Sequence, residues 1–271
     1  MSEAGVAPDL ENIAATATIA GGGAAVLVRD RFSVFPSRPL PDLDSPTAKA
    51  YEVQDKRPGP PVFALVLSPD MAVRLNTVMS MRNQQFAAVL SIIDFAYAYW
   101  PPLKRKVIFV IYERPMGGRV VNSVGDTFPP FGDNDYQKLI LKPLVQGLSE
   151  LHARGICHRA IRPTNMFFMD AERTRIVMGE CVSGPPAYDQ PAVFETIESG
   201  MTSPEGRGPG NYTDDLYALG VSLLYIMIGR LPGGAHGKES DVIRNKIKMG
   251  SFTALAGDAR FPIAMIEVLR G

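Results

Sequence analysis

The residues best suited to chemistry sit in the middle of the chain. His158, Arg159 and Asn165 lie close together, Asp170 and Glu180 follow, and Asp214 and Asp215 stand as a pair further on. Asp170, Glu180 and Asn165 together would make an unorthodox metal site. No paired carboxylates appear at the spacing a hard dication needs, so no metal and no cofactor is expected. Asn165 and Glu180 are the weak candidates for such a site. Asn165 reads more simply as a side chain bonding local backbone. Cys157 and Cys181 are two cysteines without a disulfide framework or four-ligand zinc spacing. They read as reduced, buried, small apolar residues in a reducing compartment.

Lys+Arg and Asp+Glu both total 28, a formal net charge of +0, so composition carries no footprint for nucleic acid or an anionic membrane. Hydrophobic residues at 46% and charged residues at 21% are ordinary for a soluble globular domain. The run Ile13 to Val28 is apolar but rich in Gly and Ala. It follows Glu3, Asp9 and Glu11 rather than basic residues, which argues against a secretory signal or a bilayer span. It reads as an extension or a small strand pair. With no anchor in view, a cytoplasmic location is expected.

The elements that must position the central residues fall into two kinds. Arg29 to Phe35, Ala50 to Asp55, Pro61 to Leu67, Ala88 to Tyr97 and Val107 to Tyr112 read as strands. Four prolines between Pro36 and Pro46 predict an extended loop. Met71 to Asn83 predicts a helix with Asp70 as its N-cap. After Arg114 the pattern turns helical. Asp133 can cap a helix from Asp135 to about Arg154, on which Tyr136, Ile140, Leu144, Leu148 and Leu151 share one face. Pro143 inside it should cost about 3 kcal/mol unless packing compensates. Leu216 to Ile228 is apolar nearly all round and therefore a core helix. Asp241 to Lys248 and Pro262 to Arg270 are shorter helices.

His158-Arg159-Ala160-Ile161-Arg162-Pro163-Thr164-Asn165 resembles the catalytic loop of protein kinases, H-R-D-L-x-x-x-N. Ser203-Pro204-Glu205 and Asp214-Asp215-Leu216-Tyr217-Ala218-Leu219-Gly220 resemble the A-P-E motif and the opening of the buried C-lobe helix. Ile111 to Gly118 is similar to the hinge between lobes. The resemblance runs from about Tyr51 to Gly250. It implies an α+β, bilobal protein-kinase-like fold: an N-lobe antiparallel sheet with one helix, then a helical C-lobe. The division implied is an extension at 1–28, an N-lobe at 29–113 and a C-lobe at 114–271. The chain also looks truncated, a piece of a longer polypeptide.

The resemblance also implies which parts of a phosphoryl-transfer site should be present, and several are missing. Phe35 to Lys49, the place of the glycine-rich loop, contains no glycine. Val66, or Leu67 in the neighbouring register, stands where the phosphate-pairing lysine belongs. The helix after it contains no Glu. Ala160 replaces the catalytic Asp, and Met178 takes the place of the metal-binding Asp. His158, Arg159, Glu205 and Asp215 remain as structural motif residues: His158 bracing the loop and Asp215 bonding its backbone. Arg159 is either internally paired or open to a phosphate in the segment from Val182 to Met201, which holds Ser183, Tyr188, Thr196 and Ser199. The expectation is a pseudokinase, not an enzyme, that binds one or more protein partners as a scaffold or allosteric regulator. The alternatives are a nucleotide-binding module, with backbone from Glu113 to Met116 holding an adenine, or an enzyme with an unorthodox phosphoryl- or nucleotidyl-transfer site.

Overall fold

The computed structural model describes residues 19–20, 25–132, 135–234 and 238–256. Two compact units form. One holds the described residues up to Gln84 together with Ser91–Arg114; the other holds Gln85–Leu90 and the described residues from Pro115 on.

The first unit is a seven-stranded antiparallel sheet. Its strands are β1 (Ile19–Ala20), β2 (Ala25–Val28), β3 (Phe32–Pro39), β4 (Ala48–Asp55), β5 (Val62–Leu67), β6 (Ile92–Trp100) and β7 (Arg105–Glu113), in the order β1-β2-β3-β4-β5-β7-β6. Helix α1 (Leu75–Met81) lies between β5 and β6 in the chain. The stretch before Arg29 thus supplies a strand pair, and β2 joins the sheet through Val26↔Val34 and Val28↔Phe32. β2 also packs against β6, and Arg29 Nε donates to the Phe95 carbonyl at 3.2 Å. The sheet therefore curls until its far members meet. Val26, Val28, Val34, Val66, Trp100 and Phe109 are buried together in the resulting core.

Three boundaries differ from expectation. β3 continues through Pro36 to Pro39, where an extended loop was expected. The prolines are tolerated because β2 pairs only as far as Val34, so beyond it one edge of β3 needs no donors. Helix α1 begins four residues late, behind Arg74 without a side-chain cap. Asp70 instead reaches Arg105 at 3.4 Å. The expected strand Ala88 to Tyr97 is split. Its first residues belong to the second unit, and β6 starts at Ile92.

In the second unit a two-stranded ribbon, β8 (Met166–Phe168) and β9 (Ile176–Met178), accompanies five helices among the described residues. These are α2 (Lys142–His152), α3 (Ile197–Gly200), α4 (Tyr212–Ile228), α5 (Glu239–Met249) and α6 (Ser251–Ala256). The predicted Asp133 cap and the Pro262 to Arg270 helix lie outside the described residues. Tyr136–Leu141 winds as a π-helix that leads into α2, with the Lys142 N–H bonding back to Gln137. Pro143, with no N–H to give, thereby falls in the first turn of α2 rather than in a helix interior. Helix α4 carries a capping box between Asn211 and Asp214, and Gly229 ends it at φ +68°. Its buried residues run from Asp214 to Ile226, which makes it the spine of this unit.

Trp100 lies edge-on to both Tyr51, at 4.8 Å, and Phe109, at 5.5 Å. Trp100→Ala should cost about 3–5 kcal/mol. Urea denaturation followed by circular dichroism measures it, and an unchanged midpoint would show that the first unit does not depend on this core.

Candidate functional site

The loop that follows α2 is built around one carboxylate. Asp215, fully buried near the start of α4, accepts the backbone N–H of His158 at 2.6 Å and of Arg159 at 2.7 Å. Its Oδ2 also lies 3.0 Å from His152 Nε2. Helix α4 is rigid and capped, so Asp215 fixes where the loop starts. Arg159 then turns through φ +62°, a left-handed conformation that costs a non-glycine residue about 1–3 kcal/mol and needs such anchoring.

His158 is fully buried. Its Nδ1 accepts the Ala160 N–H at 3.2 Å, so Nε2 carries the proton and donates to the Gly179 carbonyl at 3.2 Å. A neutral imidazole bonded at both nitrogens is a brace. Asn165 donates both amide hydrogens to backbone, to Ala160 at 2.8 Å and to Glu180 at 2.9 Å. The Gly179 N–H returns to the Asn165 carbonyl at 2.7 Å. Gly179 is required here, since a Cβ would come within 2.2 Å of Asn165 Oδ1. Asn165 and His158 thus stitch the loop to the residues after β9.

Glu180 turns back on its own segment. Its carboxylate accepts the N–H groups of Val182 and Ser183 at 2.9 and 3.0 Å and the Ser183 hydroxyl at 2.6 Å. Asp170 caps a separate turn by accepting the Thr174 N–H at 2.7 Å, and such bonds hold its carboxyl below the usual range. Of the weak metal candidates, Glu180 and Asp170 are thus each engaged by a local turn and Asn165 by backbone. Among the described residues no three His, Cys, Asp or Glu side chains gather as a metal site.

Met178 ends β9 with its side chain fully buried. Its N–H donates to Ala88 and its carbonyl accepts from Leu90, both at 2.8 Å. This explains the fate of Ala88–Leu90: Val89 pairs in parallel with Met178. In the first unit every residue of β5 is buried. Val66 lies in the cluster with Trp100 and Phe109. By strand alternation Leu67 shares the opposite face with Phe63, whose ring stacks on Tyr112. Both registers considered for the lysine position are therefore apolar and buried.

Between the units the chain runs from Glu113 to Met116. The Glu113 N–H donates to Ser91, Arg114 to Pro61 and Met116 to Met169, and residue 115 is proline. Each N–H in this stretch is already used. Glu205 is exposed, and no described residue pairs with it.

The sequence singled out Arg159 for the segment after Glu180, but not Glu195, Arg162 or Lys246, which organise that segment with it. Arg159 is 3% exposed. Its guanidinium donates to Glu195 at 3.2 Å and Ser199 at 2.9 Å, and lies 3.3 Å from Asp214. Arg159 is thus internally paired. Lys246, on α5 and fully buried, donates to the carbonyls of Ala192, Val193 and Glu195 at 2.7, 3.0 and 2.6 Å. Arg162 similarly binds Gln190 at 2.9 Å and Asp189 at 2.5 Å. Burial raises the Glu195 carboxyl above its usual range, against the pull of Ser199 and Arg159. Burial also lowers Lys246 to about 7, opposed by Glu195 and Glu239.

No protein-family model matches the chain. It is 29% identical over 109 residues to serine/threonine-protein kinase D of Synechocystis sp., a match covering 36% of this chain and 21% of that protein. To mitogen-activated protein kinase kinase 9 of Arabidopsis thaliana it is 29% identical over 142 residues, 45% of this chain and 44% of the relative. To mouse inhibitor of nuclear factor kappa-B kinase subunit epsilon it is 26% identical over 210 residues, 69% and 28%. The chain therefore spans less than half the length of each of these relatives. The crystal structure of Rad53 in complex with AMP-PNP matches 88% of this chain and 60% of that one, with a TM-score of 0.61 at 12% identity. The chain therefore has a protein-kinase-like fold. The loop holds His158 and Asn165, and α4 holds Asp215, each bonded to backbone, with a methyl group at Ala160.

Two outcomes follow for this kinase-fold unit. Asp215→Ala leaves two buried N–H groups without an acceptor, so it should lose about 3 kcal/mol or more, read from the denaturation midpoint. Lys246 binds a proton less readily folded than unfolded, where its pKa is about 10.4. Between pH 7 and 10 the unfolded chain therefore holds more protons, and stability should rise with pH. That slope should be absent in Lys246→Met, which will also be less stable throughout because three buried carbonyls lose their donor. An equal slope in both proteins would show that Lys246 does not titrate in this window.

Proposed function

We propose that this chain is a pseudokinase: a kinase-fold domain that does not transfer phosphoryl groups and acts by binding a protein partner as a scaffold or allosteric regulator. One observation carries the reading. The loop from His158 to Asn165 is fully braced, yet the position for the proton-accepting carboxylate is Ala160. Phosphoryl transfer rests on positioning and on charges that stabilise the transferring group. Here Met178 stands at the metal-binding carboxylate, Val66 or Leu67 at the lysine, and Glu180 is engaged by its own turn.

Nucleotide binding without transfer is the weaker alternative. Adenine recognition by backbone calls for a donor N–H, and those of Glu113, Arg114 and Met116 are already bonded. The named relatives are kinases; this chain departs from the kinase motif at the residues that react. With a net charge of +0 and no helix among the described residues long and apolar enough to cross a membrane, a protein partner in the cytoplasm is the setting proposed.

Thermal unfolding with and without millimolar ATP, in Mg²⁺, Mn²⁺ or EDTA, tests this. A ligand at 100 times its dissociation constant adds about 2.7 kcal/mol of stability. No shift is expected in any condition. A metal-dependent upward shift would overturn the reading of the site.

A further inference from the structure

Beyond Val34, β3 leaves the regular sheet. Val34 pairs with Val53 and Pro39 with Tyr51, so residues 35–38 stand opposite Glu52 alone. Prolines set the backbone there. Pro36 and Pro39 each hold φ at about −65°, and Phe35 and Arg38, as residues before proline, are confined to the extended region. Such a stretch winds as polyproline II, with about three residues to the turn. A contact in the structure fits that winding and not a flat strand. The Arg38 guanidinium lies over the Phe35 ring, 4.5 Å from its centroid. In a strand, residues three apart point to opposite faces, whereas in a three-residue turn they share a ridge. Pro36 and Pro39, also three apart, share the adjoining ridge. Ser37, Arg38 and Pro39 are exposed, and no described strand pairs with this outer edge, because β2 pairs only as far as Val34. Arg38 also meets Glu52 at 2.8 Å, with both side chains exposed, at 56% and 37%. Solvent screens such a pair, so a partner's carboxylate can replace Glu52.

We propose that Pro36-Ser37-Arg38-Pro39 is a docking site for a partner domain whose surface groove is lined with aromatic rings and flanked by a carboxylate. Two Xaa-Pro pairs, Phe35-Pro36 and Arg38-Pro39, present their proline rings along one ridge, and flat apolar rings of this kind fit between aromatic side chains. The sheet holds the segment at Val34 and again at Pro39, so its winding is formed before the partner arrives and little conformational freedom is lost on binding. Arg38 supplies the charge that the partner's carboxylate meets, and so fixes the direction in which the segment lies in the groove. The proposal deepens the proposed function and rests on its reading that the chain acts through a protein partner. It does not rest on the absence of phosphoryl transfer.

The test titrates the isotope-labelled full chain with a panel of purified SH3, WW and EVH1 domains, whose grooves have this chemistry, and reads amide shifts and Kd by NMR. At least one domain should bind saturably and shift the amides of Ser37, Arg38 and Leu40. Pro36→Ala combined with Pro39→Ala should weaken that binding by about tenfold or more, and Arg38→Gln should weaken it as well, whereas Ser37→Ala should stay within about twofold. Binding by no domain of the panel overturns the proposal, as does binding that shifts other surfaces or that the double proline variant retains. If the double variant does not fold, Pro39→Ala alone decides: a weaker Kd supports the proposal and an unchanged one overturns it. The nucleotide experiment is read separately. A chain that ignores ATP and also binds none of these domains loses this docking site and keeps the reading of a site without transfer.

Discussion

The second unit depends on a buried carboxylate that spends its charge on backbone. Asp215 accepts two successive N–H groups, those of His158 and Arg159, and this pair of hydrogen bonds sets the start of a loop in which Arg159 takes a left-handed turn. A buried carboxylate is costly unless it is bonded like this. From that anchor the loop is carried forward by side chains that serve backbone rather than substrate. His158 bridges Ala160 and Gly179, and Asn165 bridges Ala160 and Glu180. The same lever places Arg159 where Glu195, Ser199 and Asp214 converge. Loop geometry and segment packing therefore share one origin.

This separation of scaffold from chemistry is the physical content of the functional reading. In a phosphoryl-transfer site the same loop geometry serves to hold a base and metal ligands against a bound nucleotide. Here each position that should carry charge is either apolar or occupied. Met178 packs without exposure, Val66 joins an aliphatic and aromatic core, and Glu180 closes a turn. The backbone from Glu113 to Met116 has given its donors to Ser91, Pro61 and Met169. Each of these groups is packed or hydrogen-bonded within its own unit.

Much of this was legible in the sequence, for reasons that differ by residue. The loop and the role of Asp215 could be read because His158 to Asn165 and Asp214 to Gly220 resemble kinase motifs that come in this order. The core helix was legible because Leu216 to Ile228 has no polar face. Other features were hidden because local pattern and tertiary context disagree. On α5 the apolar Ile247 is 55% exposed, while Lys246 is fully buried under three carbonyls. A reading by hydrophobicity inverts that pair. Strand propensity through Ala88–Tyr97 could not reveal that Ala88–Leu90 leaves the sheet to pair with Met178. Glu180 looked like a stray ligand because a carboxylate capping its own turn leaves no spacing signature. Pro143 was flagged as a cost, and the π-helix that accommodates it follows from packing rather than from local propensity.

Phosphoryl transfer from γ-labelled ATP, to the chain itself and to a generic protein substrate, tests the central claim most directly when the wild type and Ala160→Asp are compared. The account predicts no transfer above the uncatalysed background by either protein, because restoring the base alone leaves the lysine and metal positions apolar. Transfer by the wild type that depends on a divalent cation would contradict it.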